Sequence, residues 1–257
     1  MIFETHAHYD DEAFDADREE LLNSMEEHGI GAVINVSANL ESLDRTRELM
    51  ERYPFIYGAV GLHPDEIGDM SETVLEKIRT LCRLEKTVAV GEIGLDYYWD
   101  KEDHETQRVW FERQLELARQ EKLPVIIHSR DAAADTLQVM KSCRAGEIGG
   151  VLHCFSYSKE MAAEYLNMGL YLGIGGVLTF KNARKLREVV AYAPMDRLLL
   201  ETDSPYLAPV PFRGKRNSSL NLPLVVQQIA EIKGLSPEDV TGITEENAVR
   251  LFLNKRS

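Results

Sequence analysis

Short runs of β-branched and aliphatic residues recur along the chain, each followed by a polar stretch whose apolar residues fall three and four positions apart. Alternation between these two patterns describes repeated strand–helix units. The expected strands are 2–5, 32–36, 56–60, 88–93, 125–128, 151–155, 171–174 and 198–202, with helices in the gaps. Runs such as Val125-Ile126-Ile127 and Leu198-Leu199-Leu200 are apolar throughout, as parallel strands covered on both faces require. Eight units in about 250 residues is the size of a closed (β/α)8 TIM barrel, which is favoured over an open doubly wound sheet.

No Pro/Gly/Ser-rich linker divides the chain, so one domain over 1–257 is expected, with 204–223 as its long loop. At 44% hydrophobic residues, the chain can bury a full core. Its 29 Lys and Arg against 43 Asp and Glu give a net charge of -14, which argues against a broad basic surface for gripping polyanions. Any nucleic-acid partner must be held locally. Cys82, Cys143 and Cys154 lack disulfide or metal spacing, which fits a reducing compartment. No basic leader opens the chain and no segment is long and apolar enough for a bilayer, so a cytoplasmic protein without a membrane partner is expected.

Polar residues sit where the strands should end: His6 and His8 after the first, His63 after the third, Glu92 on the fourth, His128 on the fifth, His153 on the sixth and Asp203 after the eighth. In a barrel these C-terminal ends converge on one mouth, so residues remote in sequence become neighbours. His6 and His8 are two apart on extended backbone and can point at one ion from a single strand end. His128 and His153 follow apolar runs, where a lone histidine is more often a satisfied core residue. In company with two carboxylates they read as ligands. Glu92 and Asp203 would be costly buried anions without a cation, although a salt bridge could also serve Asp203. Glu201, two residues before Asp203, shares its strand and is expected to face inward with it. His28 and His104 read as solvated surface residues.

Four histidines and two carboxylates exceed what one tetrahedral ion uses and match a pair of divalent ions bridged by a carboxylate. Glu92 is the natural bridge, between one ion at His6/His8 and another at His128/His153. Asp203 would serve the first ion and act as general base, with His63 as a substrate or outer-layer contact. Zinc, manganese or magnesium are the ions considered.

The segments Thr5-His6-Ala7-His8, Gly61-Leu62-His63-Pro64, Gly91-Glu92-Ile93-Gly94-Leu95-Asp96-Tyr97, His128-Ser129-Arg130, His153-Cys154-Phe155-Ser156 and Glu201-Thr202-Asp203-Ser204-Pro205-Tyr206-Leu207 follow in order over nearly the whole chain. Together they resemble the TatD family of metal-dependent hydrolases. The resemblance implies a TIM barrel of the amidohydrolase superfamily, with His6, His8, Glu92, His128, His153 and Asp203 in the metal positions. It also implies a deoxyribonuclease, working as a 3′–5′ exonuclease on DNA. Two departures stand out. Glu4 replaces an aspartate common before the histidine pair, and Ser218-Ser219 follow Asn217 where relatives commonly carry Glu-Pro. No carbamylated lysine is required, since strand four offers Glu92.

A phosphodiesterase acting on DNA ends, single-stranded above all, is the leading expectation. Arg213, Lys215 and Arg216, with Lys181, Arg184 and Lys185 after strand seven, offer phosphate contacts. Tyr98, between Tyr97 and Trp99, could stack on bases or merely cap the rim. The alternatives are a hydrolase of a small amide, ester or aminoacyl bond at the same site, and a metal-stabilised scaffold. Gly173-Ile174-Gly175-Gly176 misses the dinucleotide fingerprint, and Gly214-Lys215 lacks the upstream glycine of a phosphate loop. Cys154, next to His153 on a strand, is expected to face away from the metals as a buried small hydrophobe.

Overall fold

The structure, a computed structural model, describes residues 1–99 and 101–254. Among these, β1 (Ile2–Ala7), β2 (Ile30–Val36), β3 (Ile56–Val60), β4 (Thr87–Asp96), β5 (Val125–Arg130), β6 (Gly150–Leu152), β7 (Tyr171–Ile174) and β8 (Leu198–Leu200) form one parallel sheet in sequence order. β1 meets β8 through an Ala7–Ser204 bridge, Asp203 N–H to His6 O at 3.0 Å and His8 N–H to Ser204 O at 2.8 Å. This closes the expected (β/α)8 barrel. Closure leaves no sheet edge to manage.

Helices α1 (Arg18–Asn23), α2 (Leu40–Arg52), α3 (Glu72–Cys82), α4 (His104–Glu121), α5 (Ala133–Ser142), α6 (Ala145–Ile148), α7 (Lys159–Asn167), α8 (Arg184–Tyr192), α9 (Leu222–Lys233) and α10 (Pro237–Ala248) lie between and after the strands. Their starts are written locally. Asn39 and Ser42 make a reciprocal capping box on α2, while Ser71, Asp103, Ser158 and Ser236 accept the first free N–H groups of α3, α4, α7 and α10. No helix among the described residues is long and apolar enough to cross a membrane.

Two apolar clusters divide the interior. The larger gathers helix faces and outward strand residues such as Val33, Ile127 and Leu200. The smaller takes residues from every strand, including Phe3, Ile34, Ala59, Ile126, Val151 and Leu199, with Leu251 and Phe252 of the C-terminal turn as its floor. It is the filling of the barrel. Side chains two apart on a strand share a face, so Ile126 predicts His128, Val151 predicts His153, and Leu199 predicts Glu201 as inward residues above it. That rule fails for Phe3 with His6. The register of β1 shifts between Glu4 and Ala7, and that of β4 between Val90 and Ile93. Such irregularities re-aim side chains, and these two fall where His6 and Glu92 must point inward.

Several expected strand limits move. β4 and β5 continue past residues 93 and 128, whereas β6 stops at Leu152 and β8 at Leu200. The expected strand 151–155 breaks because Cys154 adopts a left-handed φ of 45°, and Asp203 likewise turns at φ 58°. Glycine is required at Gly94, where φ is 151° and an added Cβ would lie 1.9 Å from His128 O. Gly94→Ala should therefore cost at least about 2 kcal/mol, read as a lower urea midpoint. An unchanged midpoint would show that β4 and β5 tolerate a side chain there.

Candidate metal centre

β1 delivers His6 within the strand and His8 one residue beyond it, and β5 delivers His128. His153 and Asp203 stand on the turns after β6 and β8, and Glu92 lies midway along β4 rather than at its end. All six come together at the barrel mouth.

His6 Nε2 stands 3.1 Å from His8 Nε2, 3.3 Å from Glu92 Oε2 and 3.7 Å from Asp203 Oδ1. His8 Nε2 is 3.7 Å from Glu92 Oε2 and 3.5 Å from Asp203 Oδ1. A tetrahedral ion with bonds of about 2.0–2.1 Å needs ligand–ligand edges of about 3.3 Å. These five edges straddle that value, so the four donors fit a divalent cation. Glu92 Oε1 faces the other way, 2.7 Å from both His128 Nδ1 and His153 Nε2, which are 3.3 Å apart. The two oxygens of one buried carboxylate thus address two histidine pairs.

Outer partners fix two of the four rings. His8 Nδ1 meets Val36 O at 2.7 Å, and a carbonyl can only accept, so Nδ1 carries a hydrogen and Nε2 is the atom turned towards Glu92 and Asp203. His128 Nε2 meets Asp96 Oδ2 at 2.9 Å, which leaves Nδ1 to face Glu92. The outer nitrogens of His6 and His153 are buried with no partner. His63, also at the rim, accepts the Asp65 N–H on Nδ1 at 3.2 Å, so its Nε2–H points towards Glu92 Oε1, 3.9 Å away.

The electrostatics describe a nest of anions awaiting positive charge. Burial opposes ionisation of Glu92, yet His153 and His6 outweigh it and hold the carboxyl well below its usual range. Burial also opposes charge on His8 and His128. The Asp203 hydrogen bond lifts His8 to about 10, and the Asp96 and Glu92 hydrogen bonds lift His128 to about 9. Protons collect where carboxylates cluster. Burial and the neighbouring His128 push His63 down to about 3, so it is a neutral donor. Glu201 is raised by burial to about 8.

The centre floors a cavity of about 750 Å³. Its walls carry Asp10, Asp11, Glu12, Glu41, Asp65 and Glu66, against two guanidiniums, Arg45 and Arg130. Sequence patterning gave neither arginine a role, although Arg130 closes the His128-Ser129-Arg130 segment. Trp99, Tyr206 and Leu207 line the opening, and Arg130 lies 3.8 Å from the Tyr98 ring centre. Arg213, Lys215 and Arg216 lie on an exposed loop outside the cavity lining. Arg216 is engaged, donating to both oxygens of Asp17 at 2.6 Å and lying over Phe14, so it ties the loop to α1. Arg213 lies over Phe180, and Arg184 pairs with Glu188 at 2.9 Å.

One expectation changes. Cys154 is a half-buried turn residue whose N–H donates to Glu201 Oε1, and burial together with Asp203, Glu201 and Glu92 raises its thiol. It belongs to the surroundings of the centre. His104, exposed as expected, starts α4 and stacks on Tyr97 with ring centres 3.5 Å apart. The two departures from the family pattern meet each other: Ser219 Oγ donates to Glu4 Oε2 at 2.9 Å, while Glu4 Oε1 accepts from His6 N and Thr202 N at 3.1 and 2.9 Å. The longer acid reaches a hydroxyl that proline would not supply.

Fold and donor set together define a barrel hydrolase of the metal-dependent kind. The family described as TatD related DNase matches residues 3–253. The uncharacterized metal-dependent hydrolase YabD of Bacillus subtilis is 45% identical over 98% of this chain and 99% of its own length. The 3′-5′ ssDNA/RNA exonuclease TatD of Cronobacter sakazakii is 34% identical over 95% of each. The crystal structure of YjjV, a TatD homologue from Escherichia coli K12, superposes with a TM-score of 0.92 at 33% identity over 98% of each chain. The chain belongs to the TatD family of metal-dependent hydrolases.

Filling such a nest should stabilise the fold. Zinc added to metal-stripped protein at about 100 times its Kd should contribute about 2.7 kcal/mol, or about 5–10 °C in Tm for a chain of this size. Glu92→Ala should lose most of the gain. A Tm indifferent to zinc would contradict the donor geometry.

Proposed function

We propose that this hydrolase is a two-ion phosphodiesterase that shortens single-stranded nucleic acid, DNA foremost, from its 3′ end. The observation that carries the reading is the division of Glu92 between two histidine pairs, with Oε2 towards His6 and His8 and Oε1 towards His128 and His153. Bound there, two divalent ions would supply positive charge at the scissile phosphate and lower the pKa of the attacking water. The histidine-rich set suits zinc or manganese better than magnesium. The 3′ polarity is borrowed from the exonuclease name of the Cronobacter relative.

The side chains then take distinct parts. Asp203, held ionised because the surrounding histidines outweigh its burial, accepts the proton of the attacking water. His63 Nε2–H donates to a phosphate oxygen. Arg45 and Arg130 are the cavity cations that can meet the next phosphate. Tyr98, Trp99 and Tyr206, each more than half exposed, offer flat faces to unpaired bases. Arg213 and Lys215 receive the strand farther out, while Arg216 keeps the loop in place through Asp17. With acidic walls and a net charge of -14, the grip rests on few phosphates, which favours an end entering the mouth over a clamped duplex.

The same acidic walls favour a second reading, hydrolysis of a small amide, ester or aminoacyl bond whose substrate carries an ammonium group. A panel of end-labelled single strands, closed duplex circles, an aminoacyl-tRNA and a phosphodiester dye separates the two. The nuclease reading expects shortening of the single strand from its 3′ end and intact circles. Faster turnover of the aminoacyl ester would overturn it. Asp203→Asn should slow cleavage about 10²–10⁴-fold with little change in affinity. Trp99→Ala should weaken single-strand binding by about 1–3 kcal/mol while sparing the dye. Equal losses on both substrates would remove the stacking role.

A further inference from the structure

Three buried polar atoms beneath the mouth have no hydrogen-bond partner: His6 Nδ1, His153 Nδ1 and Glu201 Oε2. A buried polar atom left without a partner destabilises the fold. These three residues also bring one nitrogen or oxygen each within 4.8 Å of one another, and the two imidazoles are stacked 4.0 Å apart. Their Nε2 atoms face Glu92 at 3.3 and 2.7 Å, so Nδ1 is the free nitrogen of each ring.

A neutral imidazole carries one hydrogen. If Nε2 lends its lone pair to an ion, the hydrogen must sit on Nδ1, and a buried N–H needs an acceptor. His8 has Val36 O and His128 has Asp96 for this purpose. For the other two, the nearby acceptor is Glu201, whose Oε1 stands 3.8 Å from His153 Nδ1. Its seat is shaped. Cys154 N–H donates to Oε1, and the place where Gly173 would carry a Cβ lies 2.1 Å from Oε2, so only glycine leaves room for the carboxyl group.

We propose that Glu201 is a positioning residue shared by His6 and His153, one carboxyl group that fixes a histidine of each pair and so couples the two ion sites. It takes the His153 Nδ1–H directly once the 3.8 Å gap closes, and the His6 Nδ1–H through one bridging water. The inference rests on the two-ion reading. Removing an outer acceptor of a metal-bound histidine typically costs 10–100-fold in metal affinity. Here one substitution should weaken both sites.

Calorimetric titration of zinc into metal-stripped wild type, Glu201→Gln and Gly173→Ala tests this. Glutamine keeps the shape and can still accept from Cys154 N–H, but turns its NH2 towards the imidazole N–H groups. Both zinc affinities should fall about 10–100-fold in Glu201→Gln, and Gly173→Ala, which crowds Oε2, should follow. Unchanged affinities, or loss at one site alone, would overturn the shared role while leaving two ions in place. A single zinc equivalent in the wild type would instead overturn the two-ion reading itself. Nitrogen-15 NMR of the zinc-loaded wild type decides the matter even if the variants fold poorly. Hydrogens on Nδ1 of both His6 and His153 support the proposal; a hydrogen on Nε2 of either refutes it.

Discussion

A carboxylate buried inside a barrel is tolerated only when positive charge or hydrogen-bond donors surround it. Glu92 is 3% exposed and ringed by His6, His8, His128 and His153. Much of the local architecture follows from that demand. β1 and β4 break register where His6 and Glu92 must face inward, the turns after β6 and β8 adopt left-handed φ at Cys154 and Asp203, and Gly94 lets β4 run against His128 O. Each deviation carries strain that the packed barrel around it has to offset.

The scaffold makes that possible by separating two tasks. The filling of the barrel and the mantle between strands and helices are apolar and supply stability. The mouth above them gathers groups that would destabilise any other part of the molecule. Below the ligands, Glu4 links His6 N, Thr202 N and Ser219, joining β1, the turn after β8 and the loop before α9. Asp96 and Val36 O orient rings from outside. The cavity walls then restrict what can enter: acids on most sides, Arg45 and Arg130 as cations, aromatic rings at the rim.

The barrel was legible because continuously apolar runs such as Val125-Ile126-Ile127 need cover on both faces, and eight of them at barrel spacing leave few topologies. Several of the polar residues near strand ends were legible for the same reason, since strand parity carries Ile126 to His128 and Leu199 to Asp203. What parity could not convey is a bulge. Nothing in Phe3-Glu4-Thr5-His6 says that alternation fails between Phe3 and His6, nor that Cys154 leaves the strand by a left-handed turn. Partners set by tertiary contact were equally hidden. Arg216 reads as a phosphate contact until Asp17 is found against it, and Asp96, beyond the expected fourth strand, has no role until His128 Nε2 lies 2.9 Å away. Glu4 and Ser219, separate oddities in sequence, become one contact across the fold.

Central to the whole arrangement is a single carboxylate serving two cations, and diffraction at the metal's absorption edge tests it most directly. Crystals of the zinc-loaded protein should show two anomalous peaks on opposite sides of the Glu92 carboxylate, one against His6, His8 and Asp203, the other against His128 and His153. One peak alone, or an ion that Glu92 does not touch, would contradict it.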